Sequence, residues 1–579
     1  MYLVLIETSG NQNYIFSTNK LKENIGASEL TYRAGTKWVL EAVEKASKSN
    51  RCLSLFKNGQ QLRDNLLNEK LNPPIAPNNN VEVEAIVSTS GKALLLAKEE
   101  KTAKEIIQYV TLKALKEAPG LDICGVTHKF DWNKESLGKI NKAIHQKFET
   151  VRSQRPANDL RFLRLPIIDE CSTSGLPASL IDNSGEKPIS IISYSKRNYS
   201  DKGLERIIEL IKQKKNDLNF PKTTRELINY FESESESESE GKWLSVIHAD
   251  GNGLGEIFLK LEDHIKNDNK SCSESNRNYI DKLKYFSINL DICTETAFNT
   301  AIDVFEFSNQ KLVTVIPLVL GGDDLTVVCD GKSAIKFTKI FLNSFEQETS
   351  NNKIVAEIAA KALKVSRLSA CAGIAIIKPK FPFSVAYELA EKLMQSAKEV
   401  KKKVTYPETN KPYPCSAFDF HILYDSSNID LKSIRSKLET KSGSTVTQKL
   451  YNRPYVVTDD KELQIAKGLE WAKFHQFSKL EAKVKALTAQ DENDDNRRLL
   501  PNSQIHELKA GLFLGKSVAD ARYLLIRDRY PEELTILAGS EKSLFQKESD
   551  LEIDITGLLD AIDAAEFINL EDKNSEQKA

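Results

Sequence analysis

The stretch Leu312–Cys329, LVTVIPLVLGGDDLTVVC, decides how the rest of the chain is interpreted. A β-branched, apolar run reaches Gly321 and Gly322, two aspartates follow, and a second β-branched run begins. This pattern predicts a β-hairpin, because the glycines permit a tight turn between the two strands. It also places Asp323 and Asp324 at the tip, where backbone on both sides holds their carboxylates.

Adjacent carboxylates repel each other, and a divalent cation is the usual compensation for that repulsion. Because the donors are oxygen atoms only, the sequence points to Mg²⁺ or Mn²⁺. The same residues also fit an ordinary Gly-Asp turn, since both residue types are common in turns. Residues elsewhere in the chain are needed to distinguish a metal site from a simple turn.

Composition sets the broad class of protein. A net charge of −1 over 579 residues gives no overall signal for binding a polyanion, so any nucleic-acid surface has to be a local patch. The eight cysteines are scattered, which favours a reducing compartment over a disulfide framework. The N-terminus does not look like a signal peptide, and no apolar run is long enough to span a bilayer. We therefore expect a soluble, cytoplasmic protein of three or four domains.

Two segments predict the same order of elements, strand–helix–hairpin–helix–strand. Their strands are predicted at 2–6, 81–87, 93–97 and 121–130 in the first segment, and at 243–249, 312–329 (the hairpin) and 370–377 in the second. This βαββαβ order is ferredoxin-like, and its repetition suggests a duplication. The alternation at 81–87, VEVEAIV, predicts a half-buried strand, and residues 54–80 predict a loop-rich excursion. The first hairpin has the turn STSG at 88–91, without a carboxylate, so we expect one competent site and one degenerate copy.

Composition and periodicity divide the remaining sequence. Residues 232–240, ESESESESE, predict a solvated linker, because a Ser/Glu alternation cannot bury apolar surface. From about 431 onward the pattern is helical, at 459–487, 503–530 and 554–567, with an acidic loop at 491–496. Helical patterns also occur near 134–152 and 203–216.

The predicted fold is α/β (α+β). It has two ferredoxin-like βαββαβ palm domains and a C-terminal α-helical domain. The predicted boundaries are 1–132 for a degenerate first palm, 133–240 for a helical and linker region, 241–425 for the GGDD palm, and 426–579 for the helical domain.

A third carboxylate is predicted to join the hairpin tip. Asp250 ends the apolar strand WLSVIHA, and the first strand of a βαββαβ sheet lies beside the hairpin. We therefore expect Asp250 to meet Asp323 and Asp324 at one sheet edge. Three converging carboxylates make a two-metal site of the kind that activates a ribose hydroxyl and neutralises an α-phosphate.

Glycines follow Asp250 directly. Gly251, Gly253 and Gly255 open a predicted helix and leave backbone N–H groups free, so they predict a phosphate cradle. The segment also imitates the start of an EF-hand, but Leu254 occupies a ligand position and no glutamate closes the loop. Lys398, on the second helix of the same palm, is predicted to reach the phosphates as a point charge.

These motifs resemble a known family. The GGDD hairpin, Asp250-Gly-Asn-Gly-Leu-Gly and Ser369–Ile377 with Ala397-Lys398 resemble the second palm of the large, polymerase-like subunit of type III CRISPR effector complexes. The N-terminal SGNQNYIF and LKENIGASEL resemble the opening of its degenerate first palm. Cys171-x-x-Ser-Gly-Leu-Pro-Ala resembles its zinc-binding segment with a ligand lost, and Asn452-Arg-Pro-Tyr resembles the entry to its helical domain.

The resemblance implies an activity and partners. Members convert ATP to cyclic oligoadenylate messengers at the GGDD palm, with Mg²⁺ or Mn²⁺, when the complex binds target RNA. The implied partners are other CRISPR effector subunits, guide RNA and target RNA, in antiviral defence. The chain begins at the first palm strand, so we expect a compact member without an HD nuclease domain and without DNA cleavage.

The resemblance also implies residue roles. The implied catalytic metal ligands are Asp250, Asp323 and Asp324, and the implied nucleotide contacts are Gly251, Asn252, Gly253, Gly255, Gly321, Gly322 and Lys398. Asn252 stands where many relatives have a second acidic residue, which leaves the number of metal ions open.

Two other functions stay open at this point. A diguanylate cyclase of the GGDEF type would place Leu325 in the Phe position and Asp324 in the Glu position of its motif. A non-catalytic scaffold that binds guide and target RNA with partner subunits would not use the carboxylates at all.

Overall fold

The computed structural model describes residues 1–47, 51–156, 158–182, 185–212, 243–265, 271–305, 315–379, 381–424, 430–442, 445–491, 494–548 and 553–568. The predicted Ser/Glu linker and the first three residues of the predicted hairpin, 312–314, lie outside these ranges. Within them, every helix is too short or too polar to cross a bilayer.

The first sheet has four antiparallel strands. Their order across the sheet is Val83–Thr89, Lys92–Ala97, Tyr2–Ser9 and Asp122–Lys129. The helices of this region are Asn11–Phe16, Leu21–Gly35, Lys37–Ala46, Gly59–Leu67 and Glu100–Glu117. The strand order is the predicted ferredoxin-like one. Helix Gly59–Leu67 was not predicted, and it lies inside the excursion that we expected to be loop-rich.

The second sheet has six strands. Their order is Tyr455–Val456, Ala417–Ile422, Ala370–Ile377, Leu244–Gly251, Asp324–Asp330 and Val315–Gly321. The last four repeat the ferredoxin-like order, and Ala417–Ile422 extends it in parallel to Ala370–Ile377. The helices are Leu254–Leu259, Leu261–Ile265, Cys272–Ala301, Ala334–Asn351, Lys353–Leu363, Phe383–Ala397 and Val400–Lys403. The edge strand comes from beyond residue 425, and the domain boundaries remain predictions.

The C-terminal region is mainly helical, as predicted. Its helices are Leu431–Lys437, Leu469–Phe474, Phe477–Thr488, Asn502–Leu514, Lys516–Arg527, Pro531–Leu537 and Leu558–Ala564. The long predicted helices are broken at Gly468 and Gly515, whose φ angles of 89° and 106° are incompatible with a continuing helix. A small sheet (Glu439–Ser442, Thr445–Lys449, Asp554–Ile555, Gln546–Lys547) and a hairpin (Gln490–Asp491, Asp494–Arg498) were not predicted.

The segment around Cys171 does not fit a zinc ion. It lies between helices Leu137–Ser153 and Ile191–Lys212, next to the short strands Leu180–Ile181 and Pro188–Ile189. The Cys171 thiol lies 3.4 Å from the Thr173 hydroxyl and 3.5 Å from the Ser193 hydroxyl. Burial raises the pKa of this thiol, but the surrounding hydroxyl groups outweigh it and bring the pKa to about 6. One thiol among hydroxyls lacks the sulfur and imidazole ligands that zinc requires.

The long helix Cys272–Ala301 packs the two palm regions together. Glu84 lies on strand Val83–Thr89 of the first sheet, and its side chain has no exposed surface. It accepts hydrogen bonds from Arg277 (2.7 and 2.8 Å) and Lys284 (2.9 Å) of this helix. Burial raises the pKa of Glu84, but these two cations outweigh it, so the pKa lies below its ordinary value. The predicted half-buried strand is therefore covered on its polar side as well.

Glu84→Gln is expected to lower the free energy of unfolding by roughly 3 kcal/mol, because it leaves the buried Lys284 without its counter-charge and removes one of the two carboxylate partners of Arg277. Urea unfolding followed by circular dichroism measures the change. Glu82→Gln, at a partly exposed position two residues earlier, is the control and should change stability by less than about 0.5 kcal/mol. Equal losses in the two variants would contradict a structural role for the ion pairs of Glu84.

Candidate active site

The GGDD hairpin, residues 315–330, has its turn at Gly322 and Asp323. Gly322 has a φ angle of 63°, in the left-handed region that favours glycine. Its N–H donates to Asp291 Oδ1 at 2.6 Å, and its carbonyl accepts a hydrogen bond from Thr294 Oγ1 at 2.5 Å. Both partners belong to helix Cys272–Ala301, so this helix fixes the backbone immediately before Asp323.

Three carboxylates meet at this edge of the second sheet. Asp250 lies near the end of the strand that pairs with the second strand of the hairpin, with Ala249 opposite Leu325. Asp250, Asp323 and Asp324 each have one carboxylate oxygen that lies within 4.8 Å of an oxygen of the other two. The structure therefore brings together the three carboxylates that the sequence singled out.

The local environment makes the two hairpin carboxylates costly to ionise. Burial raises the pKa of Asp323, and the positive charge of Lys401 partly opposes this shift. Burial and the neighbouring charge of Asp323 raise the pKa of Asp324 to about 7. A divalent cation relieves this kind of repulsion, and an oxygen-only donor set suits Mg²⁺ or Mn²⁺. The residues present fit such an ion.

Residues 243–405, which contain Asp250, the GGDD hairpin and Lys398, match the sequence model of the family described as Cas10/Cmr2, second palm domain. This segment is a Cas10-like palm. The resemblance of this segment to the second palm of the large subunit of type III CRISPR effector complexes is thereby confirmed, together with its palm fold. No protein of curated function matches the sequence.

Solved structures with a similar course of the chain come from type III complexes. A chain of the type III-B Cmr-beta complex in its apo state has a TM-score of 0.49 and 11% identity, covering 98% of this chain and 81% of that one. The Csm1–Csm4 cassette with AMPPNP has a TM-score of 0.42 and 12% identity, with coverages of 93% and 63%. The cassette with pppApA has a TM-score of 0.38 and 12% identity, with coverages of 70% and 54%. The chain thus spans between about half and two thirds of the matched cassette chains.

Lys398 lies directly after helix Phe383–Ala397 of the Cas10-like palm, and its ammonium group forms an ion pair with the Asp250 carboxylate. Burial, together with the charge of Lys401, lowers the pKa of Lys398 to about 8. We predicted that Lys398 contacts a triphosphate; in this structure it neutralises one of the three carboxylates. Lys401, one helical turn later, also acts on the site, because its charge lowers the pKa values of Asp323 and Lys398. The sequence analysis missed Lys401, although its spacing of three residues from Lys398 could have indicated it.

Asn252 is hydrogen-bonded to neighbouring segments of the second palm. Its side-chain nitrogen donates to the Ser369 hydroxyl (3.0 Å) and the Cys415 carbonyl (3.1 Å), and lies 3.4 Å from the sulfur of Cys371. Its backbone N–H donates to the Ser369 carbonyl at 2.8 Å. Asn252 therefore ties the loop after Asp250 to the neighbouring strands, and its contact with a nucleotide stays a prediction.

The three glycines after Asp250 differ in their surroundings. A Cβ atom on Gly251 would lie 2.7 Å from the Cβ of Asp323 and 2.3 Å from a methyl carbon of Leu254, so this position has no room for a side chain. A Cβ on Gly253 or Gly255 meets open space. The helix that follows has only six residues, and the phosphate cradle stays a prediction.

Gly251→Ala is expected to weaken Mn²⁺ binding by about tenfold or more, because the added methyl group displaces Asp323 from its neighbours. Titration of free Mn²⁺ by electron paramagnetic resonance measures the affinity. Gly255→Ala is the matched control and should bind Mn²⁺ as the wild type does, because its Cβ meets open space. Similar affinities in the two variants would contradict the close packing of Gly251 against the site.

Lys398→Gln is expected to strengthen Mn²⁺ binding by about fivefold or more, since it removes a competing cation from Asp250, a difference on the order of 1 kcal/mol. The same titration measures it. Lys402→Gln, at an exposed lysine that pairs with Glu399, is the control and should leave the affinity unchanged. Weaker binding after Lys398→Gln would show that the lysine supports the metal ion instead of competing with it.

Proposed function

We propose that this Cas10-like chain is a nucleotidyltransferase that converts ATP to cyclic oligoadenylates, with Mg²⁺ or Mn²⁺ held by Asp250, Asp323 and Asp324. The observation that carries the proposal is the meeting of three carboxylates within 4.8 Å, inside a segment that matches the Cas10/Cmr2 second palm domain. A Gly-Asp turn without function would not require a third carboxylate from a separate strand.

The proposed reaction joins nucleotides by phosphoryl transfer. A ribose hydroxyl oxygen attacks the α-phosphorus of an ATP, a new P–O bond forms, and the bond from the α-phosphorus to the bridging oxygen breaks. Pyrophosphate leaves, and the hydroxyl proton passes to solvent. Closing the ring repeats the same step within one chain of nucleotides. Bound divalent ions supply activation of the hydroxyl and neutralisation of phosphate charge.

The residues of the chain hold the reacting groups in place. The paired strands keep Asp250 beside the hairpin, and the helix contacts at Gly322 keep the turn rigid. A Cβ on Gly322 would meet no heavy atom within 4 Å, so the turn is open at the residue before Asp323. Lys398 is half-buried at the same edge and can exchange its carboxylate partner for a triphosphate.

The proposed setting is a type III CRISPR effector complex in the cytoplasm, acting in antiviral defence. The proposed partners are other effector subunits with guide RNA, and target RNA is the proposed activator. Residues 243–405 match the Cas10/Cmr2 second palm domain, and this match supports the proposed setting.

The combined change Asp323→Asn and Asp324→Asn tests the proposal. Mass spectrometry of products from ATP and Mg²⁺, with and without RNA and co-expressed effector subunits, should show cyclic oligoadenylates from the wild type and none from the variant. Both changes preserve side-chain shape, so the fold should survive. Asp330→Asn, at the far end of the same strand, is the control and should keep the activity.

The same measurement with all four nucleoside triphosphates separates the alternatives. A cyclic dinucleotide from GTP alone would identify a diguanylate cyclase. Co-purified RNA without turnover of any nucleotide under these conditions would identify a scaffold and end the enzymatic proposal.

A further inference from the structure

Arg63, on helix Gly59–Leu67 of the first palm region, contacts the long helix of the GGDD palm. Its two terminal nitrogens donate to the two carboxylate oxygens of Glu295, each at 2.8 Å. One of them also lies 3.6 Å from Asp291 Oδ2. The Arg63 side chain is only 7% exposed, so solvent screens these charges weakly.

Asp291 connects this cluster of charges to the GGDD turn. One of its oxygens faces Arg63, and the other accepts the Gly322 N–H at 2.6 Å. Thr294, three residues further along the helix, donates to the Gly322 carbonyl. A continuous set of polar contacts therefore runs from the first palm region to the residue immediately before Asp323.

Asp291 and Glu295 depend on Arg63 because they are four residues apart on one helix. Carboxylates at this spacing lie on the same face and repel each other. Burial and the charge of Glu295 raise the pKa of Asp291 to about 6, and Arg63 opposes this shift. Arg63 attracts both carboxylates, which offsets their repulsion and leaves Asp291 directed at the turn. A charged acceptor holds a backbone N–H about twice as strongly as a neutral one.

We propose that Arg63 is a positioning residue for the GGDD turn: acting through Asp291, it holds Gly322 and thereby sets Asp323 against Asp250 and Asp324. The inference rests on the proposed function of that turn. It also assigns a task to the first palm region, whose own hairpin turn, STSG, has no carboxylate. That region braces the competent site without supplying a metal ligand.

Hydrogen exchange tests this connection without any turnover. In Arg63→Ala and Asp291→Ala, the amides of the hairpin tip, residues 320–325, should exchange at least about tenfold faster than in the wild type. Asp291→Ala removes the acceptor of the Gly322 N–H, and Arg63→Ala leaves Asp291 repelled by Glu295, so that its carboxylate turns away from the Gly322 N–H. Amides of strand Ala370–Ile377 should not change. Arg152→Ala, at a half-exposed arginine on helix Leu137–Ser153, is the matched control. Wild-type exchange at the tip in Arg63→Ala would overturn the proposal.

Two further variants separate positioning from general destabilisation. Asp291→Asn keeps an oxygen that accepts the Gly322 N–H, so exchange at the tip should stay within about threefold of the wild type. The double variant Arg63→Ala with Asp291→Ala should match Asp291→Ala alone, because Arg63 acts through Asp291. Additive effects, or no rescue by asparagine, would contradict the proposed route.

Metal binding and kinetics give the functional readout. Arg63→Ala should weaken Mn²⁺ binding by about tenfold and lower kcat by about a hundredfold with little change in KM for ATP, because misplaced carboxylates impair the reacting geometry more than nucleotide binding. If the wild type makes no product, the proposed function fails, while exchange and Mn²⁺ affinity still decide the role of Arg63. If the wild type is active and Arg63→Ala matches it in all three measurements, only the positioning role fails.

Discussion

Three partly buried carboxylates repel each other at one edge of the second sheet, and the surrounding strands, glycine turn and helix hold them together. Asp250, Asp323 and Asp324 would move apart if they were free, and strand pairing and a glycine turn prevent this. Lys398 neutralises Asp250, whereas the pKa values of Asp323 and Asp324 stay raised by burial. The fold therefore holds the three carboxylates together at a cost in free energy, and a divalent cation relieves this cost.

One helix serves both domain packing and the candidate site. Along Cys272–Ala301, Arg277 and Lys284 bind the buried Glu84 of the first sheet, and Glu295 binds Arg63. The same helix presents two hydrogen-bonding side chains to the GGDD turn. Because these contacts share one rigid element, the position of the first palm region and the geometry of the turn are mechanically connected.

Elements with a strong local pattern were predicted well. The hairpin strands, the strand Ala370–Ile377 and the order of both palms follow from β-branched runs and turn residues, and the structure contains them. Predictions were wrong where distant packing or backbone breaks decided the outcome. Helix Gly59–Leu67 lies in a stretch expected to be loop-rich, and Glu84 is buried because a helix from another region covers its strand.

Residue patterns that are local in the chain were sufficient to predict the GGDD turn and the order of elements in both palms. The meeting of Asp250 with Asp323 and Asp324 followed from that order, because the first strand of a βαββαβ sheet lies beside the hairpin. Only the tertiary structure decided that Lys398 pairs with Asp250, that Asn252 is engaged with neighbouring strands, and that Arg63 lies against Glu295, 232 residues away. Such pairings arise from the packing of whole elements, and no local pattern of residues encodes them.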